Sequence, residues 1–313
     1  MKRRSESVPA LARPIIIDCD PGTDDAIALL LALASPEIAL QAITVVGGNV
    51  GIERTLANAL ALVALAGAGV PVHAGAGQPI RGEFTSAPRA HGENGLAGIV
   101  LPPGGAPAPG VAADVIRAHL RAATAPLTLV GIGPATNLAR ALMAEPDLAA
   151  KIGEIVLMSG AFAGGNITPA AEFNAWSDPE ALSVLLAAGR PLTLAPLDLT
   201  HQALVTPSRL AHLRAAGAGT ALATACDILA ALPPHPTLPG RPLHDPCAIA
   251  WLLRPDLFTA RPARVAVSCA EGATRGQTTI APAPEETANA LVLETLDAEG
   301  FFALLGERLS RLT

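Results

Sequence analysis

The stretch PIIIDCDPGTDDAIALLLALA, Pro14 to Ala34, decides both the fold and the chemistry of this chain. Three consecutive isoleucines make a β-branched apolar run, the pattern of a strand buried on both faces, and the run ends at Asp18. Side chains alternate along a strand, so Asp18 and Asp20 point to one side and Cys19 to the other. Pro21 and Gly22 break the strand. Thr23 or Asp24 is placed to cap a helix that continues almost wholly apolar from Ala26 to Ala34 and stops at Ser35-Pro36. The stretch therefore predicts a strand, a tight turn and a buried helix, with Asp18, Asp20, Asp24 and Asp25 crowded at the junction.

Two carboxylates a few ångströms apart repel by roughly 4 kcal/mol at an effective dielectric near 20. A helix N-terminus returns less than ~1 kcal/mol per charge at exposed sites. Any one of these aspartates alone reads as a turn or helix-start residue. Four together call for a bound cation, and oxygen donors with no neighbouring Cys or His pattern suit a hard ion, Ca²⁺ or Mg²⁺.

Downstream, the predicted strands at 40–46, 70–74, 126–131, 154–158 and 191–196 alternate with helices at 52–66, 111–122, 134–143, 207–216 and 220–231. A further helix starts near Asp245, strands follow at 263–267, 276–280 and 290–296, and a helix at 301–312 closes the chain. This alternation predicts one α/β domain over 14–313, with a mostly parallel central sheet flanked by helices. Ligands bind such sheets beyond the C-terminal strand ends, where Asp20 and Asn49 both fall. Gly131-Ile132-Gly133 lies at another strand end, where small residues let a carbonyl approach a ligand. The segment 159–181, SGAFAGGNITPAAEFNAWSDPEA, reads as a loop whose Asn166, Glu172 and Asn174 can hydrogen-bond hydroxyls. Long loops at 78–98, containing His91, and at 101–110 have the length of functional lids.

Composition excludes several alternatives. The chain has 313 residues and a net charge of −6, with 3% aromatics; without a basic stripe it offers no nucleic-acid surface. Its most apolar run, Leu56 to Val72, is broken by Asn58 and glycines and falls short of the ~20 residues of a membrane span. Residues 1–13 are basic without a signal-length apolar core and are expected to form a disordered tail, which makes the cytoplasm the expected compartment. Cys19, Cys226, Cys247 and Cys269 show no CxxC pairing and sit in apolar segments, as buried reduced thiols do.

The run DCDPGTDDA, Asp18 to Ala26, resembles the DxDPGxDDA signature of the nucleoside hydrolases, the inosine-uridine preferring ribohydrolases, without departure. GIGPATNLA is similar to the family's G-x-L-T-N-x-A segment, with alanine for the usual leucine before Thr136. The segment after Met158 resembles the MGG…GN…EFN block, with Ser159 in place of one glycine. LDLTHQALVTP and the His244-Asp245-Pro246 segment resemble two more blocks in the same order. The resemblance runs from Asp18 to about Ala250.

It implies a nucleoside N-ribohydrolase that uses Ca²⁺. Asp20, Asp25 and Asp245 would give carboxylate ligands and Ile132 a backbone carbonyl, with Asp20 taking the proton of the Ca²⁺-bound water. Asp24, Asn49, Asn166, Glu172 and Asn174 would hold the ribose hydroxyls, Met158 would pack on the sugar, and Phe173 and His91 would complete the substrate contacts. Asp18 would support this arrangement from beneath. The family's tyrosines before the HDP segment are missing, since the chain has no tyrosine. His244, with an ordinary pKa near 6.5, is the expected acid for the leaving base, and His235 the reserve. The expected partners are a small ribonucleoside and further copies of the chain in a homodimer or homotetramer, with neither nucleic acid nor membrane. The preferred base stays open.

Three other readings compete. An aspartate phosphotransferase motif, DxDx(T/V), fails at Gly22. An EF-hand fails because Gly22, Thr23 and Leu30 stand where that loop needs its own geometry and a final Glu. A non-catalytic ribose-binding protein would keep the asparagines but has no need of Asp20, Asp25 and Asp245 together.

Overall fold

The computed structural model describes residues 12–86 and 91–312. Strand β1 (Arg13–Cys19) is buried from Ile15 to Cys19, as its isoleucines require. It lies between β2 (Ile38–Val45) and β4 (Leu127–Gly131), parallel to both, with Asp18 in register with Thr44 on one side and Gly131 on the other. Strand β3 (Val72–Ala74) extends the sheet beyond β2. On the far side follow β5 (Ile152–Met158) and β6 (Leu192–Ala195), both parallel. A short hairpin of β7 (Leu204–Val205) and β8 (Arg241–Pro242) stands apart. Then β9 (Phe258–Val267), β10 (Thr278–Pro282) and β11 (Ala290–Leu296) complete the sheet in the order β10-β9-β11-β6-β5-β4-β1-β2-β3. Strand β11 is parallel to β6, while β9 is antiparallel to both of its neighbours.

The order sets the location of the site. The chain proceeds outward from β1 through β2 to β3, then returns to β4 and proceeds outward the other way through β5 and β6. The connections leaving β1 and β4 therefore diverge, opening a crevice at their C-terminal ends, where open α/β sheets bind ligands.

Helix α1 (Thr23–Leu33) explains its own apolar sequence: every residue from Thr23 to Ala32 is buried. It packs against α2 (Ile52–Leu65), and also against α9 (Thr220–Ala231), α10 (Pro246–Leu253) and α11 (Ala298–Leu309). Leu29, Leu30 and Leu31 are fully buried, each contributing about 1.5–3 kcal/mol. The helix that presents Asp24 and Asp25 is thus anchored on all sides. On the opposite face of the sheet lie α3 (Ala112–Ala122), α4 (Thr136–Ala144) and α6 (Pro179–Leu186), whose apolar faces share one core with β4 and β5.

Some elements differ from expectation. The cap of α1 is Gly22 rather than Thr23 or Asp24, because Asp25 reaches back to accept the Gly22 N–H at 3.0 Å and the Thr23 hydroxyl turns to His91. The expected loop over 159–181 contains α5 (Phe173–Ser177) and the start of α6. Glu172 caps the first and Asp178 the second, with Pro179 pre-set for a helix start. The last helix begins at Ala298 because Asp297 caps it through the Gly300 N–H. Two four- to nine-residue helices, α7 (Leu197–Thr200) and α8 (Pro207–Ala215), follow β6. Of the expected tail over 1–13, residues 1–11 lie outside the described residues, and Arg13 opens β1 by donating its N–H to the Glu37 carbonyl. Cys19, Cys226 and Cys247 are buried free thiols, whereas Cys269 is half-buried near the sheet edge. Among the described residues no helix is long and apolar enough to cross a membrane.

Candidate active site

The strand end at Asp18 is built from hydrogen bonds that join three strands. One oxygen of Asp18 accepts the Thr44 hydroxyl at 2.5 Å and the Asn137 amide at 2.9 Å. Asn137 also donates to the Val45 carbonyl and accepts the Ala76 N–H. Burial pushes the Asp18 carboxyl up to about 7 against the pull of those two donors.

Two residues on, Asp20 is fully buried. Its Oδ2 accepts the Asn49 N–H at 2.7 Å, while Oδ1 has no protein partner among the described residues. Gly48 and Gly133 flank this carboxylate so closely that an added Cβ would stand 2.2 Å from Oδ2 or 2.4 Å from Oδ1. These are positions where absence of a side chain is what lets the carboxylate sit at the strand end. Asp25, also fully buried, accepts the Asp20 and Gly22 N–H groups at 3.1 and 3.0 Å and the Asn49 amide at 3.0 Å.

Asp245 comes from the opposite side of the crevice, at the N-terminus of α10. A capping role would be its ordinary explanation, yet it accepts no backbone N–H there and has helical φ and ψ. Its carboxylate turns instead towards α1. Oxygens of Asp24, Asp25 and Asp245 all lie within 4.8 Å of one another. At that spacing each pair repels by roughly 3.5 kcal/mol at an effective dielectric of 20. Burial, then the neighbouring carboxylates, drive Asp25 up to about 7 and Asp20 and Asp245 well above the carboxylate range. Among the described residues no lysine or arginine pairs with any of them; only His91 Nδ1 approaches, 3.9 Å from Asp24.

A cavity of about 500 Å³ opens above this floor, lined by Asp24, Asn49, Ser86, His91, Ile132, Met158, Asn166, Ile167, Glu172, Phe173, Asn174, His244 and Asp245. The structure thus brings together the residues expected at the site apart from the reserve acid His235, with Asp20 and Asp25 beneath the wall rather than in it. Asn174 donates to the carbonyls of Ile132 and Met158, both at 3.1 Å, fixing the Ile132 oxygen at the cavity edge. Glu172 accepts backbone N–H groups of Gly160, Asn174 and Ala175, so it shapes the wall as well as lining it. Asn166 accepts the Phe173 N–H with its oxygen, leaving its amide group for a ligand.

His91 accepts the Thr23 N–H at Nδ1, which places its proton on Nε2. Burial holds its pKa below the usual range, only partly offset by Asp24. His244 differs from expectation. Burial, despite the opposing charge of Asp24, lowers it to about 4, so the ring is neutral at neutral pH rather than half-protonated. Its Nδ1 lies 2.7 Å from the Thr200 hydroxyl, which leaves Nε2 as the ring nitrogen free for a ligand. His235 does not line this cavity but the rim of an adjoining one. Sequence reasoning missed Ser86 and Ile167 in the wall and Thr44, Asn137 and Thr200 behind it. Asn137 and Thr200 lie within segments that resembled the family, but nothing in their spacing showed what they would touch.

A buried cluster of aspartates at the switch point of a parallel sheet, under a cavity walled by asparagines, is the arrangement of a sugar-binding hydrolase. Residues 15–303 match the inosine-uridine preferring nucleoside hydrolase family, and the chain belongs to it. It is a ribonucleoside hydrolase. It is 43% identical over 307 residues to the pyrimidine-specific ribonucleoside hydrolase RihA of Salmonella gallinarum, covering 96% of this chain and 99% of that one. It is 44% identical, with 96% and 98% covered, to the RihA of Shewanella woodyi. Among solved structures, the purine-preferring ribonucleoside hydrolase from Gardnerella vaginalis superposes with a TM-score of 0.86 at 33% identity, covering 96% of this chain and 99% of that one. An inosine-guanosine nucleoside hydrolase gives 0.88 at 30% identity, with the same coverage.

Proposed function

We propose that the protein hydrolyses pyrimidine ribonucleosides to ribose and free base with a hard divalent cation, Ca²⁺, at the aspartate floor. The observation that carries the metal is the floor itself: three mutually repelling carboxylates, a fourth with an orphaned buried oxygen, and among the described residues no lysine or arginine paired with them. Asp20, Asp25, Asp245 and the Ile132 carbonyl would hold the ion, and Asp24 is close enough to join them or to reach the sugar. All are oxygen donors, the set that Ca²⁺ accepts. When bound, the ion would acidify a coordinated water and anchor ribose hydroxyls.

The protein's own groups do the rest. Asp20 takes the proton as water attacks the anomeric carbon, its geometry fixed by the Asn49 N–H and by the glycines on either side. Asp24, Asn49, Asn166, Glu172 and Asn174 hold the ribose hydroxyls, and Met158 and Phe173 pack beside them. The carboxylates beneath the sugar favour the positive charge that develops on its ring as the glycosidic bond lengthens. His244, neutral and with Nδ1 accepting the Thr200 hydroxyl, presents its Nε2–H as a hydrogen bond to the departing base, which leaves with its negative charge spread over the ring and takes its proton from solvent. The pyrimidine preference is supported by the greater likeness to the two RihA enzymes than to the purine-preferring structures. The buried free thiols support a cytoplasmic setting.

Release of reducing sugar from uridine, cytidine, inosine and adenosine, measured with and without Ca²⁺, tests the reading. Faster turnover of inosine and adenosine would overturn the base preference, and undiminished activity in protein shown to be metal-free by elemental analysis would overturn the cation.

A further inference from the structure

The first cavity shares Asp24, His91, Asn166 and His244 with a second one of about 710 Å³, bordered by the 232–237 loop. A base attached to a ribose held in the first cavity would have this space beside it. Its recognition requires a polar side chain with hydrogen-bonding capacity to spare; the free amide of Asn166 and Nε2 of His244 are already assigned to the ribose and to the departing nitrogen, and most of the others have protein partners. Asp198 spends one oxygen on the Phe162 N–H and the other on the Ala163 N–H, at 2.9 and 3.1 Å. The Nδ1 of His235 accepts the N–H groups of Thr237 and Leu238, that of His91 accepts Thr23, and that of His244 is tied to Thr200. Arg241 turns back to the Leu229 carbonyl.

His201 alone among these rings has no protein hydrogen bond to either nitrogen within the described residues. It is half-buried and lines the cavity between His235 and His244, with ring centroids 5.7 and 5.8 Å away. Its backbone is held firmly. His201 N–H bonds to the Leu197 carbonyl at 2.8 Å, and the next residue, Gln202, clamps α7 to β11 by donating to Glu294 and accepting from Leu296. The same short helix ties down the 162–163 loop through Asp198 and His244 through Thr200. An unpartnered ring on so constrained a platform is a preorganised contact.

We infer that His201 is the specificity-determining residue for the leaving group, hydrogen-bonding the polar edge of a pyrimidine base seated between His244 and His235. A neutral imidazole offers one donor and one acceptor, which matches the mixed edges of uracil and cytosine. Burial, reinforced by His235 and opposed by Asp198, lowers the His201 pKa and so favours that neutral form. The inference rests on the reading that a ribonucleoside occupies the two cavities, and the test separates the two claims.

The test compares wild type, His201→Phe and His201→Gln on uridine and on a ribosyl substrate with a nitrophenolate leaving group, which lacks a base edge. Phe keeps a ring without nitrogens, and Gln restores a donor and an acceptor. Loss of a hydrogen bond to a buried polar edge lowers kcat/KM for uridine by about 10- to 100-fold. The nitrophenolate substrate should change by less than about 3-fold, and Gln should recover much of the loss on uridine. Should Phe fail to fold, as judged by Tm, His201→Ala removes both ring nitrogens without adding volume. Uridine activity close to wild type in a folded variant, or equal losses on both substrates, overturns the inference. Wild-type protein inert on both substrates overturns the nucleoside reading, and the inference with it.

Discussion

Gly133→Ala places one methyl group against the proposed base. The new Cβ would stand 2.4 Å from Asp20 Oδ1 and 3.0 Å from both Asp20 Cγ and the Asp20 backbone nitrogen. Ordinary contact lies near 3.5 Å, so the carboxylate must retreat by roughly 1 Å. It has nowhere to go without loss: Oδ2 is held by the Asn49 N–H at 2.7 Å, and Gly48 closes the other side. A displacement of about 1 Å at a reacting group costs on the order of 10²-fold in rate. Overpacking of this kind costs about 1–3 kcal/mol of stability, which a domain with so large a core survives. We expect kcat on uridine to fall by about 10²-fold in a folded protein, with Tm lowered by a few degrees. Gly51→Ala, at the cap of α2 with no atom within 4 Å of the added Cβ, is the matched control. Folded Gly133→Ala with kcat within about 3-fold of wild type would refute the placement of Asp20 at the reaction centre.

Asp20→Asn keeps the shape of the side chain and removes the proton acceptor, so kcat should fall by at least ~10²-fold; near-normal kcat with metal retained would move the base elsewhere. Exhaustive chelation should abolish hydrolysis and lower Tm, because an ion bound only by the folded state stabilises it by mass action, and readdition of Ca²⁺ should restore both. Asp245→Asn should separate function from stability: calorimetry on metal-free protein at neutral pH should show a higher Tm than wild type, since a carboxyl whose pKa is raised on folding costs stability above its unfolded pKa, while titration should show weaker Ca²⁺ binding. Asp178→Ala removes the cap of α6 together with the acceptor for the Ile80 N–H and the Thr136 hydroxyl; denaturant unfolding should register a loss of about 2–4 kcal/mol.

The parallel sheet was legible because strands buried on both faces have continuous β-branched runs, and IIID, LQAITVV and EIVLM carry that signal within seven residues each. The aspartate floor was legible because its members crowd into one strand–turn–helix. Asp245, more than two hundred residues away, was reached only through the resemblance of its HDP segment, and residue types alone favoured a helix cap that the structure does not contain. What failed was local. Helix α5 is too short for periodicity to register, and its start depends on Glu172 folding back on three N–H groups that the sequence does not identify. The ordinary pKa expected of His244 failed for a tertiary reason: its surroundings are assembled from α1, α7 and the 232–237 loop, none adjacent to it in the chain.

The hydrogen bonds of the floor show why the fold tolerates such a cluster. The backbone N–H groups of Asp20, Gly22 and Asn49 and the Asn49 amide approach Asp20 and Asp25 from the strand-end turns, so one side of each carboxylate is stabilised by the scaffold. Those donors are dipoles, and they offset only part of the repulsion among buried charges. An arginine would offset more, but its guanidinium would fill the space above β1 permanently and present no acceptor or open position to a sugar. A hard cation accepts six to eight oxygens, more than the carboxylates of this floor supply, so a bound ion would have capacity left for further oxygen donors. The unbalanced charge that burdens the metal-free protein is thus the same feature that would recruit the ion and leave room beside it for ribose hydroxyls and water.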